Sequence, residues 1–340
     1  MSKGDKMPVI YYRQALNQAL REEMRRDENV FVIGEEVAQY QGAYRVTEDL
    51  LEEFGDRRVK DTPISEEVIA GIGTGAAMVG LRPVVEMMTV NFALLAMDQI
   101  VNHAAKLRYM SGGQIKIPMV IRAPEGAGMQ LGAQHSQNLE AWFVHVPGLK
   151  VVTASTPYDA KGLLKSAIRD DSPVIFLEHA LLYSMRGEVP EEGYTLPIGR
   201  ADVKRKGDDI TIIAYLRMVH IALSAAEALA KTGISAEVID LRTLRPMDIS
   251  TLVESVKKTK HAIIVEEDWP QCGIGAQVVD QLQLHAFDYL DAPIMRVTLA
   301  DTPMPYSREL EQSALPNVEK VIATAGSVLK GTAREPAVSI

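Results

Sequence analysis

Apolar residues follow two periods that alternate along most of the chain. Short runs of consecutive apolar residues predict buried strands, and apolar residues three and four positions apart predict amphipathic helices. Strands are predicted at VFVIGE, RPVVEMMTV, IPMVIRAP, LKVVTAS, PVIFLEH, ITIIAYL, SAEVIDL, HAIIVEE and PIMRVTLA. Helices are predicted at Tyr11 to Asp27, VTEDLLEEFG, ALLAMDQIVNHAAKLRYM, PYDAKGLLKSAIRD, MVHIALSAAEALAKTG, DISTLVESVKKTK, IGAQVVDQLQLHAF and NVEKVIATAGSVLK. This alternation is typical of an α/β fold whose parallel sheets are covered on both faces.

The alternation stops once, in a stretch rich in proline, glycine and charge that covers residues 181–208. Such a composition is typical of a linker. A chain of 340 residues also exceeds the size at which a single hydrophobic core usually stops growing. We therefore predict two doubly wound α/β domains, at residues 1–185 and 205–330, joined by a linker at 186–204. Residues 331–340 have no periodicity and are predicted to form a frayed tail.

Charge and cysteine content narrow the classes of function. A net charge of −9 argues against nucleic-acid binding, which needs a basic surface, and leaves room for a basic protein partner. The single cysteine, Cys272, excludes an internal disulfide and a multi-cysteine metal site. The N-terminus resembles neither a signal nor a transit peptide, and no apolar run is long enough to span a membrane. We expect a soluble cytoplasmic protein.

The stretch DTPISEEVIAGIGTGAAMVG (Asp61 to Gly80) places two adjacent acids, Glu66 and Glu67, at the start of a predicted helix rich in glycine. Thr62–Pro63 is a suitable helix start, and acids in the next turn complement the helix dipole. This structural role alone would explain both acids. Glycine inside a helix costs up to about 1 kcal/mol relative to alanine, however, so several glycines indicate close packing against a backbone or a flat ligand. Glu66 would lie at that contact.

The same stretch contains a second pattern, because Gly71, Gly73 and Ala76 fit the dinucleotide fingerprint G-x-G-x-x-A and Glu86 follows. The fingerprint requires a strand that leads directly into the first glycine. Here PISEEVIA precedes it, and the spacing to Glu86 is shorter than usual. A dinucleotide-binding scaffold is the alternative of a different class.

His135 lies in the polar stretch LGAQHSQNLEAW, where no apolar period accounts for it. It is either a loop histidine bonded to the backbone or a residue that lines a polar active-site channel. The other six histidines fit packing or surface positions. No HExxH, CxxC, P-loop or G-x-S-x-G pattern occurs, which argues against the corresponding metal, nucleotide and hydrolase sites.

Several long motifs resemble one family closely. They are GEEVAQYQGAYRVT, DTPISE, AGIGTGAAMVGLRPVVEMMTVNF, GAQHSQNLEAWFVHVPGLKVV, LRTLRPMD, EEDWPQCGIGAQV and DTPMPYS. They are similar to the beta subunits of the first component of pyruvate dehydrogenase complexes, which are transketolase-like and depend on thiamine diphosphate. The resemblance extends from about Ile10 to Leu329. It implies a pyrimidine-binding domain followed by a transketolase C-terminal-type domain.

The resemblance also implies an activity and partners. The family oxidatively decarboxylates pyruvate and transfers the acetyl group to lipoamide on the lipoyl domain of a dihydrolipoamide acetyltransferase core, with thiamine diphosphate and Mg²⁺ as cofactors. Two beta chains join two alpha chains. This chain lacks the GDG and NN motifs that hold Mg²⁺ and diphosphate, so the alpha subunit would supply them and the chain alone would be inactive. Branched-chain 2-oxoacid and acetoin dehydrogenase beta subunits are the alternatives within the family.

Individual site residues follow from the matching motifs. Glu66 matches the glutamate that hydrogen-bonds the aminopyrimidine ring of the cofactor and promotes formation of its ylid. Glu35 matches a glutamate near the cofactor that helps to connect active sites, and Phe92 an aromatic residue close to the pyrimidine. His135 matches a histidine implicated in reductive acetylation of lipoamide. A potassium site, formed mostly by backbone carbonyls in the family, would lie at Met119, Ala167, Ile168, Asp170 and Ser172.

Overall fold

The computed structural model describes residues 7–191 and 193–332. The chain forms two compact units: the first comprises the residues up to Gly126 together with Trp142–Ile198, and the second comprises Ala127–Ala141 together with the residues from Gly199 onward. The domain boundaries predicted from the sequence stay predictions. Positions 333–340 of the predicted tail lie outside the described residues.

Strands and helices alternate along both units. The strands are β1 (Val9–Tyr11), β2 (Val30–Gly34), β3 (Val59–Asp61), β4 (Arg82–Glu86), β5 (Val120–Glu125), β6 (Lys150–Thr153), β7 (Val174–His179), β8 (Arg186–Glu188), β9 (Asp202–Arg205), β10 (Ile210–Ala214), β11 (Ala236–Asp240), β12 (Thr243–Arg245), β13 (Ala262–Val265) and β14 (Met295–Val297). The α-helices are α1 (Tyr12–Arg26), α2 (Leu50–Phe54), α3 (Glu66–Met78), α4 (Ala105–Met110), α5 (Glu140–Val144), α6 (Pro157–Arg169), α7 (Met218–Ala230), α8 (Ile249–Thr259), α9 (Ile274–Ala286), α10 (Arg308–Ala314) and α11 (Val318–Leu329). Short 3₁₀ helices cover Val90–Ala96, Ala180–Leu182 and Phe287–Tyr289, and a π-helix covers Asp98–Ala104.

The first unit contains a parallel sheet with strand order β6-β7-β5-β4-β2-β3. Strands β2, β5 and β7 are buried along their whole length, as expected for strands covered on both faces. Helices α1 and α6 contribute their apolar faces to the core on one side. The predicted α/β class is confirmed for this unit.

The second unit contains a sheet with order β14-β13-β10-β11-β9, in which only the edge strand β9 is antiparallel. Its core lies between this sheet and helices α7 and α11. Asp248 caps α8 as predicted, because its side chain accepts the Thr251 N–H. Among the described residues, no helix is both long and apolar enough to cross a membrane.

Helix α3 begins later than predicted. Thr62–Pro63 is not its start, since the Thr62 N–H donates to the carbonyl of Gly34 at 3.0 Å and prolongs the contact between β3 and β2. The helix begins at Glu66, with Ser65 as the N-cap residue. Both acids therefore occupy the first two helical positions and not the second turn.

The single long helix predicted at ALLAMDQIVNHAAKLRYM is also wrong in detail. The segment changes from a 3₁₀ helix to a π-helix and then to α4. At the last change, Gly148 packs on the backbone so closely that a Cβ there would lie 2.0 Å from the Ala105 carbonyl oxygen. This backbone contact depends on a residue distant in sequence, so the local pattern does not reveal it.

Candidate active site

Glu35 and Glu66 are brought together by two neighbouring parallel strands. Glu35 follows β2 directly, and Glu66 opens α3 five positions after the end of β3, which pairs with β2 at Gly34 and Asp61. The two side chains are 7% and 4% exposed, and their carboxyl groups lie within hydrogen-bonding reach of each other. Two buried acids therefore meet at the carboxyl edge of the sheet.

This carboxyl pair has perturbed electrostatics. Burial raises the pKa of Glu35, and the negative charge of Glu66 raises it further, while the N–H of Ser65 opposes the shift. A like charge nearby disfavours ionisation of a carboxyl group. Glu35 Oε1 is buried and has no hydrogen-bond partner among the described residues. Such an oxygen is suited to a polar ligand group, because a buried polar atom normally has a partner.

The backbone around Glu35 is held tightly. Gly34 packs on β4 so closely that a Cβ there would lie 2.7 Å from the Glu86 carbonyl oxygen. The Asp61 carboxylate accepts the N–H groups of Ala38 and Gln39 at 2.6 and 3.0 Å. Beyond Glu35, several non-glycine residues adopt the left-handed conformation: Glu36, Gln41, Arg45 and Asp49. Conformations of this kind persist only where surrounding contacts enforce them.

Phe92 is half-buried in the 3₁₀ helix Val90–Ala96, which packs against α3. Its backbone N–H donates to the Thr89 carbonyl at 3.1 Å. The helix that begins with Glu66 and the segment that carries the predicted aromatic residue are therefore neighbours within one unit.

A buried ionic network, not anticipated from the sequence, lies beneath the same sheet edge. Arg122 on β5 donates to both oxygens of Glu178 on β7 at 2.8 and 2.7 Å, and also pairs with Glu86 on β4. Tyr183 donates to Glu178 at 2.6 Å, and its pKa is raised well above its ordinary value by burial and by the Glu178 charge. Tyr44, from the segment after Glu35, stacks on Tyr183 at 4.5 Å. The sequence did contain a signal for this network, namely charged residues within the apolar runs that form β5 and β7, because a buried charge requires a partner.

Of the glycines of α3, Gly73 serves close packing, and the helical glycines do not form a nucleotide-binding loop. Gly71, Gly73 and Ala76 lie inside the helix, so the dinucleotide alternative is wrong. Gly73 faces β4, where a Cβ would lie 2.6 Å from Val85. A Cβ at Gly75 would meet no atom of another part of the protein within 4 Å. On and beside this open face lie exposed apolar side chains: Ile64, Val68, Ile72 and Val79.

His135 belongs to the second unit, in the segment Ala127–Ala141. Its side chain is exposed, and its backbone N–H donates to the Gly132 carbonyl at 3.2 Å. Glu35, Glu66 and Phe92 belong to the first unit.

The positions of the predicted potassium site lie around the C-terminal end of α6 and the start of β7. Arg82 Nη1 donates to the carbonyl oxygens of Ile168 and Asp170 at 3.0 and 3.1 Å. The Met119 carbonyl accepts the Val174 N–H at 2.9 Å within the sheet. A guanidinium group thus already places positive charge on two of the predicted ligands, so the residues fit a potassium ion only in part.

Comparison with known proteins identifies the class of fold first. Residues 9–185 match the family described as transketolase, pyrimidine binding domain, and residues 199–321 match transketolase, C-terminal domain. A solved split-gene transketolase, an inactive beta4 tetramer, superposes with a TM-score of 0.77 at 23% identity, covering 95% of this chain and 100% of that one. A transketolase mutant from Pichia stipitis gives a TM-score of 0.68 at 16% identity, covering 95% of this chain and 47% of that one. The fold is that of transketolase-type proteins.

Curated relatives define the family more closely. The chain is 54% identical over 326 residues to the pyruvate dehydrogenase E1 component subunit beta of Rhizobium meliloti, covering 96% of this chain and 71% of the relative. It is 52% identical to the mitochondrial beta subunits of Dictyostelium discoideum and Bos taurus, covering 94% and 92% of this chain and 91% and 89% of those relatives. The chain belongs to the family of pyruvate dehydrogenase E1 component beta subunits. The predicted family and fold class are confirmed.

Proposed function

We propose that this chain works as the beta subunit of a pyruvate dehydrogenase first component and supplies the carboxyl half of its thiamine diphosphate site. The observation that carries this proposal is the buried pair of Glu35 and Glu66, with one oxygen of Glu35 left without a partner. The transketolase pyrimidine-binding match over residues 9–185 supports the same site. The reaction is oxidative decarboxylation of pyruvate with transfer of the acetyl group to a lipoyl group.

The residues of the pair fit an aminopyrimidine ring, which offers nitrogen atoms that hydrogen-bond to a carboxyl group. When bound, thiamine diphosphate supplies a nucleophilic thiazolium carbon once the proton on that carbon is removed. Glu66 would hold a ring nitrogen through its carboxyl group and would share a proton with it. Burial and the Glu66 charge raise the pKa of Glu35, so its carboxyl group is harder to ionise than an exposed one. Phe92, half-buried in the 3₁₀ helix that packs against α3, would lie near the ring and help to exclude water.

The α3 face has the character of a subunit contact. Exposed apolar side chains line it beside a glycine with open space above it. Exposed apolar surface of this kind marks interaction sites. We propose that the alpha subunit covers this face and brings Mg²⁺ and the diphosphate ligands, in an assembly of two alpha and two beta chains. Among the residues that the structure describes, no group of three or more His, Cys, Asp or Glu residues could hold a metal ion.

His135 is proposed to act in the second half-reaction. Opening the dithiolane ring of a lipoyl group requires a proton on the leaving sulfur, and an exposed imidazole is a suitable general acid. The lipoyl domain of a dihydrolipoamide acetyltransferase core is the proposed partner that presents this group. Decarboxylation itself does not need His135.

Potassium binding and cytoplasmic location stay predictions. A potassium ion would have to share the carbonyls of Ile168 and Asp170 with Arg82. Each carbonyl oxygen has two lone pairs and can therefore contact both groups, although the positive charges of K⁺ and the guanidinium group repel each other. A higher melting temperature of the assembled enzyme in K⁺ than in Na⁺ at equal ionic strength would support the site, and equal melting temperatures would count against it.

Calorimetric titration with thiamine diphosphate and Mg²⁺ tests the proposed half-site. The chain alone should show weak or no binding, and the co-purified alpha–beta assembly should bind the cofactor. A Glu66→Gln assembly should bind it more weakly than a Glu67→Gln assembly, since Glu67 is exposed at the next position of the same helix. Tight binding by the beta chain alone would contradict the shared site.

A further inference from the structure

The segment Ala127–Ala141 carries His135 but contains little regular structure of its own. Several of its residues adopt positive φ: Gly128 (104°), Gln130 (57°) and Gly132 (76°). Residues in this conformation do not pair in a helix or strand ladder, so their N–H groups need partners from elsewhere. The position of His135 therefore depends on how the rest of the second unit holds this segment.

Glu311 on α10 supplies two of these partners. Its carboxylate is 2% exposed, and Oε1 accepts the N–H groups of Gly128 and Gln130 at 2.9 and 3.1 Å. Hydrogen bonds to a charged acceptor are roughly twice as strong as neutral ones. One buried carboxylate thus fixes two alternate residues of the segment just before the Gly132 turn that leads to His135.

Two further contacts hold the ends of the segment. Glu267 accepts the Ala127 N–H at 2.7 Å, and Tyr215 donates to Glu140 at 2.5 Å. Ala127 also packs in a small apolar cluster of the same unit: Leu299, Met304, Ala314 and Leu315. His135 lies between these attachments, next to the turn in which its backbone N–H donates to the Gly132 carbonyl.

We propose that Glu311 is a positioning residue for lipoyl acetylation, which acts by fixing the backbone that carries His135. The proposal rests on the role proposed for His135. Loss of the two hydrogen bonds frees the backbone at residues 128–132 and lets His135 shift relative to the arriving lipoyl group. A misplacement of about 1 Å at a reacting centre costs up to roughly 10²-fold in rate. Decarboxylation is spared, because it needs only the carboxyl pair of the first unit and the cofactor.

The test uses the alpha–beta assembly with Glu311→Met, which keeps side-chain volume but removes the acceptor oxygens. Glu311→Gln keeps one acceptor oxygen and is the conservative rescue. Glu309→Ala is the matched control, since Glu309 is exposed on the same helix. Three quantities are measured: lipoyl-domain acetylation, pyruvate-dependent reduction of an artificial electron acceptor, and amide hydrogen exchange of peptides that cover residues 127–135.

In Glu311→Met we expect faster amide exchange, lipoyl-domain acetylation reduced by roughly 10- to 100-fold, and acceptor reduction within about twofold of wild type. Glu311→Gln should restore most of the acetylation rate, and Glu309→Ala should match wild type in all three measurements. An unchanged acetylation rate in Glu311→Met would overturn the proposal. So would an equal loss in both activity assays, which would assign Glu311 to the stability of its unit.

Two further outcomes keep the test decisive. If Glu311→Met does not assemble, amide exchange on the wild-type assembly still tests the contact, because Gly128 and Gln130 must exchange more slowly than exposed loop amides. Unprotected amides there would overturn the proposal. If His135 does not act in lipoyl acetylation, His135→Ala would reduce both activities equally. If only the positioning role of Glu311 is wrong, His135→Ala would still lower acetylation selectively and Glu311→Met would have no effect.

Discussion

Replacing Glu66 by glutamine changes a single atom of a side chain that is 4% exposed. Volume and most packing are kept, so the fold should be retained. The amide cannot share a proton with a ring nitrogen in the way that a carboxyl group does. It also removes the negative charge that raises the pKa of Glu35. In the variant, the pKa of Glu35 should therefore move down towards its ordinary value, with burial alone still opposing ionisation.

The size of the effect follows from the role of the carboxyl group. General acid–base catalysis contributes about 10²- to 10⁴-fold in rate, which corresponds to about 3–5 kcal/mol of activation free energy. Glu67→Gln is the matched control, because Glu67 neighbours Glu66 but is exposed. Its rate should stay within about threefold of wild type, since an exposed acid at a helix start contributes typically less than about 1 kcal/mol.

The assay is hydrogen–deuterium exchange at the thiazolium carbon of the cofactor in the alpha–beta assembly, followed by quenching and NMR. Exchange should be slowed in Glu66→Gln by at least about 10²-fold and nearly unchanged in Glu67→Gln. Equal exchange rates in wild type and Glu66→Gln would refute the assignment of Glu66. Equal slowing in both variants would attribute the effect to the helix start.

Three other predictions concern single residues. His135→Ala should lower lipoyl-domain acetylation at least tenfold more than pyruvate-dependent acceptor reduction, because only the first needs a proton donor for sulfur. Burial and the charge of Glu266 raise the pKa of Asp268 to about 7 from 3.8. Between these two pH values the folded state binds a proton at Asp268 that the unfolded state has lost. The free energy of unfolding therefore falls as pH rises through this window, by up to about 1.4 kcal/mol per pH unit. Asp268→Asn should remove this part of the slope in urea unfolding. Arg122→Met should cost about 3–5 kcal/mol of unfolding free energy, since it leaves two buried carboxylates without their cation.

Each of these predictions has a control and a contradicting result. His103→Ala, at a half-exposed position, should leave both activities unchanged. A parallel loss of both activities in His135→Ala would indicate that His135 has only a structural role. Asp288→Asn, at an exposed site, should keep the wild-type pH slope, and the same slope in Asp268→Asn would contradict its raised pKa. Arg57→Met is the exposed match for Arg122, and a cost below about 1 kcal/mol for Arg122→Met would contradict a stabilising network.

Much of the fold could be predicted because each element carries a local signal. The buried strand at Val30–Gly34 and helix α1 lie where the apolar periods place them. Asp248 was recognisable as a helix cap, and Gly55 ends α2. The motif predicted a site role for Glu66, which the structure places in a buried position, and the roles of Glu66 and His135 stay predictions.

The remaining features depend on contacts between distant residues, which a local pattern does not contain. Helix α3 begins late because Thr62 bonds to Gly34, and Gly148 packs against Ala105, the first residue of α4. In the sequence, Glu311 looks like an exposed acidic residue of a helix. In the structure it is buried and accepts the N–H groups of Gly128 and Gln130, which lie more than 180 positions away. Such partners become visible only when the folded chain brings them together.

The most direct test of the central claim is pyruvate turnover by the chain with and without its alpha subunit. Co-purified alpha and beta chains should decarboxylate pyruvate and acetylate a lipoyl domain when thiamine diphosphate and Mg²⁺ are present, and each chain alone should be inactive. Pyruvate should be preferred over 3-methyl-2-oxobutanoate. Turnover by the beta chain alone, or preference for the branched substrate, would contradict the account.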